Sequence, residues 1–307
     1  MASKDKTPDN RKKKFYFFIG RTNPPHLGHI NVLIQTIRLS SESPHKYPAL
    51  FLLGDGPGGI RTRDNPVEHE LKKRFIVEKL REKKFNEKED FVIEKMKQPP
   101  NLQVEEFIKR FISEDDTRVT IYQVAGGKDN DGAKHSKIRD DICKKLRESY
   151  ENITFDCDVV ISDVSTSGQD NGAGQDEAMS ATMVRKKAVE LFNKHHKDED
   201  LKQWIGTSTD TDAAFQEWIE TFKFYESPIQ LSFELYKQII LYKDTPPYKP
   251  NKSVRSQSVR SQLGRTHPYQ RKVNSPSKRV LTGVGGKRYS HRRYYRNRKK
   301  YITRKRR

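Results

Sequence analysis

Along the first 195 residues, short apolar runs typical of strands take turns with segments that have the apolar period of a helix. Short apolar runs with the length of buried strands occur at 15–20, 49–53, 91–93, 118–125 and 155–162. Segments with apolar residues at every third or fourth position, the period of a helix, follow at 26–39, 67–85, 102–112, 135–150 and 180–192. This alternation predicts an α/β fold, with a Rossmann-like parallel sheet and helices on both faces.

The C-terminal part of the chain follows a different pattern. Two further helical segments are predicted at 215–222 and 229–241, and the regular pattern ends at Thr245. Three prolines interrupt the next residues, and SVRSQ then occurs twice in tandem, at 253–262. We therefore expect a disordered N-terminus at 1–13, a main domain at 14–195, a helical extension at 196–244 and a disordered basic tail at 245–307.

The excess positive charge lies entirely in the tail. The net charge is +20, and 20 of the 61 Lys and Arg residues lie in 251–307, which contains no Asp or Glu. The remaining 41 basic residues balance the 41 acidic ones. Tyr294 and Tyr295 stand among arginines, so the tail is predicted to bind nucleic acid through phosphate contacts and base stacking. The alternatives are a nuclear targeting signal, an acidic partner protein, an anionic membrane, and a solubilising tail that has no partner.

Several sequence features favour an intracellular protein, cytoplasmic or nuclear. No apolar run approaches the roughly 18 residues of a membrane span. The apolar stretch at 15–19 is shorter than a signal-peptide core of about 7 residues. Cys143 and Cys157 form neither a metal-ligand spacing nor a disulfide framework, so we expect separate thiols and a reducing compartment. The sequence leaves the oligomeric state open.

The segment GRTNPPHLGH at 20–29 joins the first strand to the first helix. The N-terminus of a helix presents free N–H groups and the positive end of the helix dipole to an anion. Gly28 has no side chain, so a phosphate can approach the backbone. His26 and His29 share one side of the first turn, where both imidazoles can donate hydrogen bonds to phosphate oxygens. The alternative is that one histidine caps the helix and the other is merely exposed.

A second phosphate-binding pattern occurs in SATMVR at 180–185. Ser180 suits the N-cap of a helix, and Thr182 lies in its first turn. Arg185 follows one turn later, so hydroxyl, N–H and guanidinium groups converge on one point. Alone, the pattern is also that of an ordinary Ser-capped helix.

The two segments together resemble the HxGH nucleotidylyltransferases. GRTNPPHLGH is similar to the family signature GxFxPxHxGH, with Thr22 where Phe is common, and residues 179–185 are similar to ISxTxxR, with Met179 in place of Ile. The family includes nicotinamide-mononucleotide adenylyltransferases, pantetheine-phosphate adenylyltransferases and CTP-using cytidylyltransferases. The resemblance covers about residues 14–192.

The resemblance implies transfer of a nucleoside monophosphate from a nucleoside triphosphate to a phosphate-bearing acceptor, with release of pyrophosphate. His26 and His29 would stabilise the transition state at the α-phosphate, and Arg185 would hold the β- and γ-phosphates with Ser180 and Thr182. The other nucleotide-binding positions implied are Gly20, Arg21, Thr22, Gly28, Gly126, Lys128 and Asp129. Mg²⁺ would arrive with the nucleotide, so no dedicated protein metal site is expected.

Two turns extend the resemblance. The segment at 54–66 ends in Asn65-Pro66, as in archaeal-type nicotinamide-mononucleotide adenylyltransferases, although the Glu-Arg pair of that group is not preserved in register. Asp55 and Asn65 are the candidate substrate-binding residues there. The turn at 126–129 closes the fourth strand, where the family contacts adenine and ribose. The alternative for both is an ordinary surface turn.

ATP as donor and nicotinamide mononucleotide as acceptor are favoured by the PPHLGH variant and the Asn-Pro turn. One alternative is a CTP-dependent cytidylyltransferase that acts on an alcohol phosphate. An alternative of another class is a non-catalytic nucleic-acid-binding protein with a vestigial nucleotide site. The intact His26, His29 and Arg185 favour catalysis.

Overall fold

The computed structural model describes residues 11–56, 59–126, 132–162, 180–197 and 199–249, with the backbone alone at 132–135. The chain divides into two units, Met1–Pro250 and Asn251–Arg307. All of the described residues belong to the first unit. The disorder predicted for residues 1–10 and for the basic tail beyond 249 therefore lies outside the described residues.

The core of the protein is a parallel sheet of five strands in the order β3-β2-β1-β4-β5. The strands are β1 (Lys12–Gly20), β2 (Ala49–Leu53), β3 (Phe91–Lys95), β4 (Arg118–Gly126) and β5 (Thr154–Ser162). This order confirms the predicted Rossmann-like α/β fold. It reverses direction between β1 and β4, so a crevice is expected beyond the carboxyl ends of these two strands.

Helices cover both faces of the sheet, as the alternation of strands and helices predicts. They are α1 (Leu27–Ser41), α2 (His69–Glu82), α3 (Pro100–Lys109) and α4 (Gly132–Ser149). On one face, α1 and α2 pack on Tyr16 and Phe18 of β1. On the other face, α3 and α4 pack on Phe15 and Phe17. Successive residues of a buried strand point to opposite faces, so β1 contributes apolar side chains to both layers.

A third apolar cluster is formed by α2 and the C-terminal helices. These are α5 (Ala181–His195), α6 (Leu201–Thr207), α7 (Ala213–Thr221), a 3-10 helix (Lys223–Tyr225) and α8 (Ile229–Leu241). Trp204, Trp218, Tyr225 and Tyr236 are the largest buried side chains of this cluster. The sequence pattern did not predict α6, because its seven residues are too few to establish a helical period.

The described helices are all too short or too polar to cross a membrane.

Both ends of the described chain are tied into the fold beyond the predicted domain boundaries. Strand β1 begins at Lys12, and the Lys13 ammonium lies 2.8 Å from a carboxylate oxygen of Asp116. At the other end, the carbonyl of Thr245 accepts a hydrogen bond from the backbone N–H of Arg63 at 3.0 Å. The end of the described chain therefore lies against the segment that follows β2.

The two cysteines form a disulfide, so the expectation of separate thiols was wrong. Cys143 lies on α4 and Cys157 on β5, and their Cα atoms are 6.2 Å apart. Helix α4 connects β4 to β5 and packs back on this edge of the sheet, which brings the two residues together. The expectation of a reducing compartment loses its basis, because it rested on two separate thiols.

Candidate functional site

The loop between β1 and α1 is buried and held on several sides. Thr22 has a φ of 43° and is 2 % exposed. The side chain of Asn23 accepts from the N–H of Val67 at 3.0 Å and donates to its carbonyl at 3.1 Å. The hydroxyl of Tyr225 donates to the carbonyl of Pro25 at 2.5 Å. Residues distant in sequence therefore fix the loop that leads into the first histidine.

His26 and His29 form a ring pair at the start of α1. Their ring centroids are 3.8 Å apart, with an interplanar angle of 37°. His26 is the N-cap residue, with φ −143° and ψ 171°, but within the described residues no side chain caps the N–H groups of the first turn. His26 is 8 % exposed and His29 is partly buried. The alternative of one capping and one merely exposed histidine does not fit this geometry.

Electrostatics keep His29 uncharged. Burial lowers the pKa of His29 well below its usual value, and the nearby His26 and the charge of Lys72 lower it further. The Nδ1 atom of His29 makes no hydrogen bond with the part of the chain that the structure describes. A neutral imidazole carries one N–H, so His29 can donate a hydrogen bond without carrying a positive charge.

The second motif occupies the N-terminus of α5. Ser180 caps this helix, because its Oγ accepts a hydrogen bond from the N–H of Met183 at 3.2 Å. Arg185 donates to Thr182 Oγ1 at 3.3 Å and, through its other terminal nitrogen, to the carbonyl of Asn23. The second motif therefore contacts the loop that precedes the two histidines. Met179 lies outside the described residues.

Arg185 has charged neighbours of both signs. Burial lowers the pKa of Arg185, the carboxylate of Asp64 opposes this change, and the guanidinium of Arg21 adds to it. Arg21 itself is exposed. The guanidinium groups of Arg185 and Arg21 favour an anion such as phosphate, while the carboxylate of Asp64 opposes one.

Asp55 lies below the candidate site and within a cluster of cations. Its carboxylate oxygens are 2.7 Å from the Lys95 ammonium, 3.3 Å from that of Lys72 and 3.4 Å from the Arg61 guanidinium. Burial acts to raise the pKa of Asp55, but the hydrogen bond from Lys95 and the charges of Lys72 and Arg61 outweigh it and lower the pKa. The structure therefore places this candidate substrate ligand, which is 5 % exposed, in ion pairs with three cations.

Asn65 is also largely enclosed. It is 4 % exposed, and its Oδ1 accepts a hydrogen bond from the side chain of Asn23. Its Nδ2 has no partner among the described residues. Gly56 has a φ of 82°, and a Cβ atom there would stand 2.7 Å from Asn65 Nδ2. Asn65 thus links the β1–α1 loop to the segment after β2, and only glycine fits beside it.

The three glycines predicted to bind nucleotide lie at the ends of β1 and β4 and at the start of α1. Gly20 ends β1 and Gly126 ends β4, the two strands between which the sheet order reverses. Gly28 is buried in the first turn of α1. Lys128 and Asp129, the predicted contacts to adenine and ribose, lie outside the described residues.

Sequence reasoning did not assign a role to Lys72, the buried lysine beneath the loop. It is fully buried and donates to the carbonyls of Arg21 at 3.2 Å and Gly54 at 2.7 Å. The sequence nevertheless indicates that Lys72 is buried, because it stands four residues before Ile76, on the apolar side of α2. A lysine on that side of a helix requires acceptors in the interior.

Comparisons with known proteins add little to this picture. No protein-family model matches the chain, and no curated protein matches it. One similar solved structure is a bifunctional NMN adenylyltransferase/ADP ribose pyrophosphatase from Francisella tularensis, with 16% identity and a TM-score of 0.38. The match covers 78% of this chain and 58% of that one. A likeness this distant carries no conclusion about activity.

Proposed function

We propose that this protein is a nucleotidyltransferase that moves a nucleoside monophosphate from ATP to a phosphate-bearing acceptor, with nicotinamide mononucleotide as the favoured acceptor. The observation that carries the proposal is the paired rings of His26 and His29, 3.8 Å apart at a helix N-terminus, with Arg185 bound to the loop before them. Helix dipole, imidazole and guanidinium groups there suit a polyphosphate.

The proposed reaction is a direct displacement. A phosphate oxygen of the acceptor attacks the α-phosphorus of the triphosphate and forms a new P–O bond. The bond from the α-phosphorus to the bridging oxygen breaks, and pyrophosphate leaves with that electron pair. No covalent enzyme intermediate is needed, so positioning and charge stabilisation by the protein account for catalysis.

Each described group has a role in this step. The neutral His29 and its neighbour His26 donate hydrogen bonds to the oxygens of the α-phosphate as negative charge builds there. Arg185 holds the β- and γ-phosphates, and Thr182 and Ser180 provide hydroxyls beside it. Arg21 supplies a second guanidinium close to Arg185.

We further propose that Mg²⁺ binds together with the nucleotide, as the resemblance to the nucleotidylyltransferases implies. The described residues contain no group of three or more His, Cys, Asp or Glu side chains that could hold a metal ion. Asp55 is already engaged by Lys72, Lys95 and Arg61. The phosphates would hold the ion, which neutralises part of their charge, while Arg185 would bind the oxygens left free.

The test is a matrix of donors and acceptors. The full-length protein is incubated with Mg²⁺, one of the four nucleoside triphosphates, and either nicotinamide mononucleotide or an alcohol phosphate. Pyrophosphate release gives the rate, and mass spectrometry identifies the product. We expect release with ATP and nicotinamide mononucleotide. A CDP-linked product as the main species would instead establish the cytidylyltransferase alternative. Absence of release with every pair would support the non-catalytic alternative.

A further inference from the structure

We propose that Lys72 is a positioning residue of this site, whose buried ammonium group ties the carbonyl of Arg21 to the carbonyl of Gly54 and so holds the β1–α1 loop and its two histidines in place. The expected effect on turnover rests on the proposed function. Lys72 lies in the first turn of α2, and it reaches the carboxyl ends of both β1 and β2.

The ammonium group of Lys72 makes two hydrogen bonds and one ion pair. An ammonium has three N–H donors. Three oxygens surround Lys72 Nζ: the carbonyl of Gly54 at 2.7 Å, the carbonyl of Arg21 at 3.2 Å and Oδ1 of Asp55 at 3.3 Å. A buried charge is tolerated only when it is paired and hydrogen-bonded, so these contacts account for a lysine that is 0 % exposed.

The contact with Arg21 matters because of the residue that follows it. Thr22 has a φ of 43°, in the left-handed region that a β-branched residue rarely adopts. Such a conformation persists only where the surroundings enforce it. Lys72 fixes the backbone immediately before Thr22, and the side chain of Asn23 fixes it immediately after, through Val67. Loss of either contact would let the turn relax and move the histidines.

The same ammonium acts on His29. The charged and titratable groups around Lys72 are Asp55 at the end of β2, Lys95 on β3, Arg61 in the segment after β2, His29 on α1 and His69 on its own helix. Burial lowers the pKa of Lys72 to about 8, although Asp55 opposes this change. Lys72 is therefore largely charged at neutral pH, and its charge helps to keep His29 neutral.

Lys72 has no exposed surface with which to contact a substrate. Its loss should therefore lower kcat and leave the KM for ATP nearly unchanged. A small displacement of catalytic groups can cost about 10²-fold in rate.

The variant that tests this is Lys72→Met in the full chain, with Lys79→Met as its control. Lys79 is the second buried lysine of α2, but it pairs with Glu82 and stands over the ring of Phe224. For Lys72→Met we expect a loss in kcat of about 10²-fold and a change in KM within about threefold. We expect the pKa of His29, followed by NMR of labelled histidine, to rise. Lys79→Met should change neither kcat nor the pKa of His29. An unchanged His29 titration in Lys72→Met would overturn the inference.

A measurement on the unaltered protein covers the case in which Lys72→Met fails to fold. The pKa of Lys72 is lowered from 10.5 to about 8 in the folded protein. Between these pH values the unfolded chain binds more protons than the folded one. This residue therefore makes the fold more stable as pH rises. Turnover should nevertheless fall above pH 8, because Lys72 loses its charge and its pairing with Asp55. A kcat that stays constant up to about pH 9.5 would contradict the inference.

Failure of the inference and failure of the proposed function give different results. If the unaltered protein releases no pyrophosphate with any triphosphate, the proposed function fails. The titration of His29 in Lys72→Met then decides the inference alone, because it does not depend on activity.

Discussion

The two helices that begin at the candidate site, α1 and α5, present their N-termini in different ways. In the described residues no side chain caps the first turn of α1, and its N-cap residue is His26. The first turn of α5 is capped by Ser180, which accepts from the N–H of Met183. The start of α1 therefore leaves backbone donors for a ligand, whereas α5 contributes the side chains of Thr182 and Arg185.

The supports of the two helix ends differ as well. The loop before α1 is held by Lys72, Tyr225 and the side chain of Asn23. The start of α5 reaches the same loop through the guanidinium of Arg185. Under the proposed function, we expect the α1 end to set the geometry of the reaction and the α5 end to adjust the hold on the triphosphate. Substitutions at α1 should then affect kcat, and substitutions at α5 should affect KM.

The largest effect is expected from removal of both histidines. His26→Ala with His29→Ala should lower kcat by about 10²-fold or more, as for loss of preorganised donors in the transition state. Because neither side chain caps α1, the melting temperature should change little. Steady-state kinetics and thermal unfolding measure the two effects. His45→Ala is the control, since His45 bonds to the carbonyl of Lys12 at the opposite end of β1. Near-normal turnover in the double variant would rule out the mechanism.

A smaller effect is expected at the α5 end. Arg185→Lys keeps the charge but loses the planar fork that bonds Thr182 and the Asn23 carbonyl together. We expect roughly a tenfold fall in kcat/KM for ATP, mainly through KM, which corresponds to about 1.4 kcal/mol. Lys187→Ala, which removes a surface ion pair with Glu190, is the control. Unchanged kcat and KM in Arg185→Lys would show that Arg185 does not hold the leaving pyrophosphate.

The cap of α5 should contribute a modest amount of stability. Ser180→Ala removes the acceptor for the N–H of Met183 and should cost about 1 kcal/mol in the free energy of unfolding. Ser180→Asp is the matched variant, because it restores a cap but places negative charge beside the phosphates. Urea unfolding should therefore be normal for Ser180→Asp, while its KM for ATP should rise. A normal KM in that variant would place the phosphates elsewhere.

The smallest effect on turnover is expected from removal of the basic tail. If the two helix ends suffice to hold the triphosphate, truncation after Pro250 should leave kcat and KM unchanged. Binding to RNA or single-stranded DNA should be lost, because the deleted segment carries 20 Lys and Arg residues and no acidic residue. Filter binding over a range of salt concentrations measures this. A rise in KM, or binding that survives truncation, would contradict the separation of the two functions.

The sequence alone determined the order of strands and helices and the start of both motif helices. The apolar runs and helical periods predict β1 to β5 and α1 to α5, because both patterns are local consequences of which faces are buried. Ser180 as an N-cap could also be predicted, since capping depends on residues three positions apart. The assignment of His26 and His29 to one helical turn follows from the same local geometry.

Tertiary structure decided which polar residues meet. Arg185 reaches the carbonyl of Asn23 across 162 positions, and no periodicity encodes that distance. The position of Lys72 on the apolar side of α2 indicates burial, but only the folded chain places the carbonyls of Arg21 and Gly54 beside its ammonium group. Asp55, a candidate substrate-binding residue, forms ion pairs with Lys95 and Lys72, which lie in other segments. Local patterns report backbone conformation and apolar faces, whereas the partners of a buried charge depend on long-range packing, which only the folded chain defines.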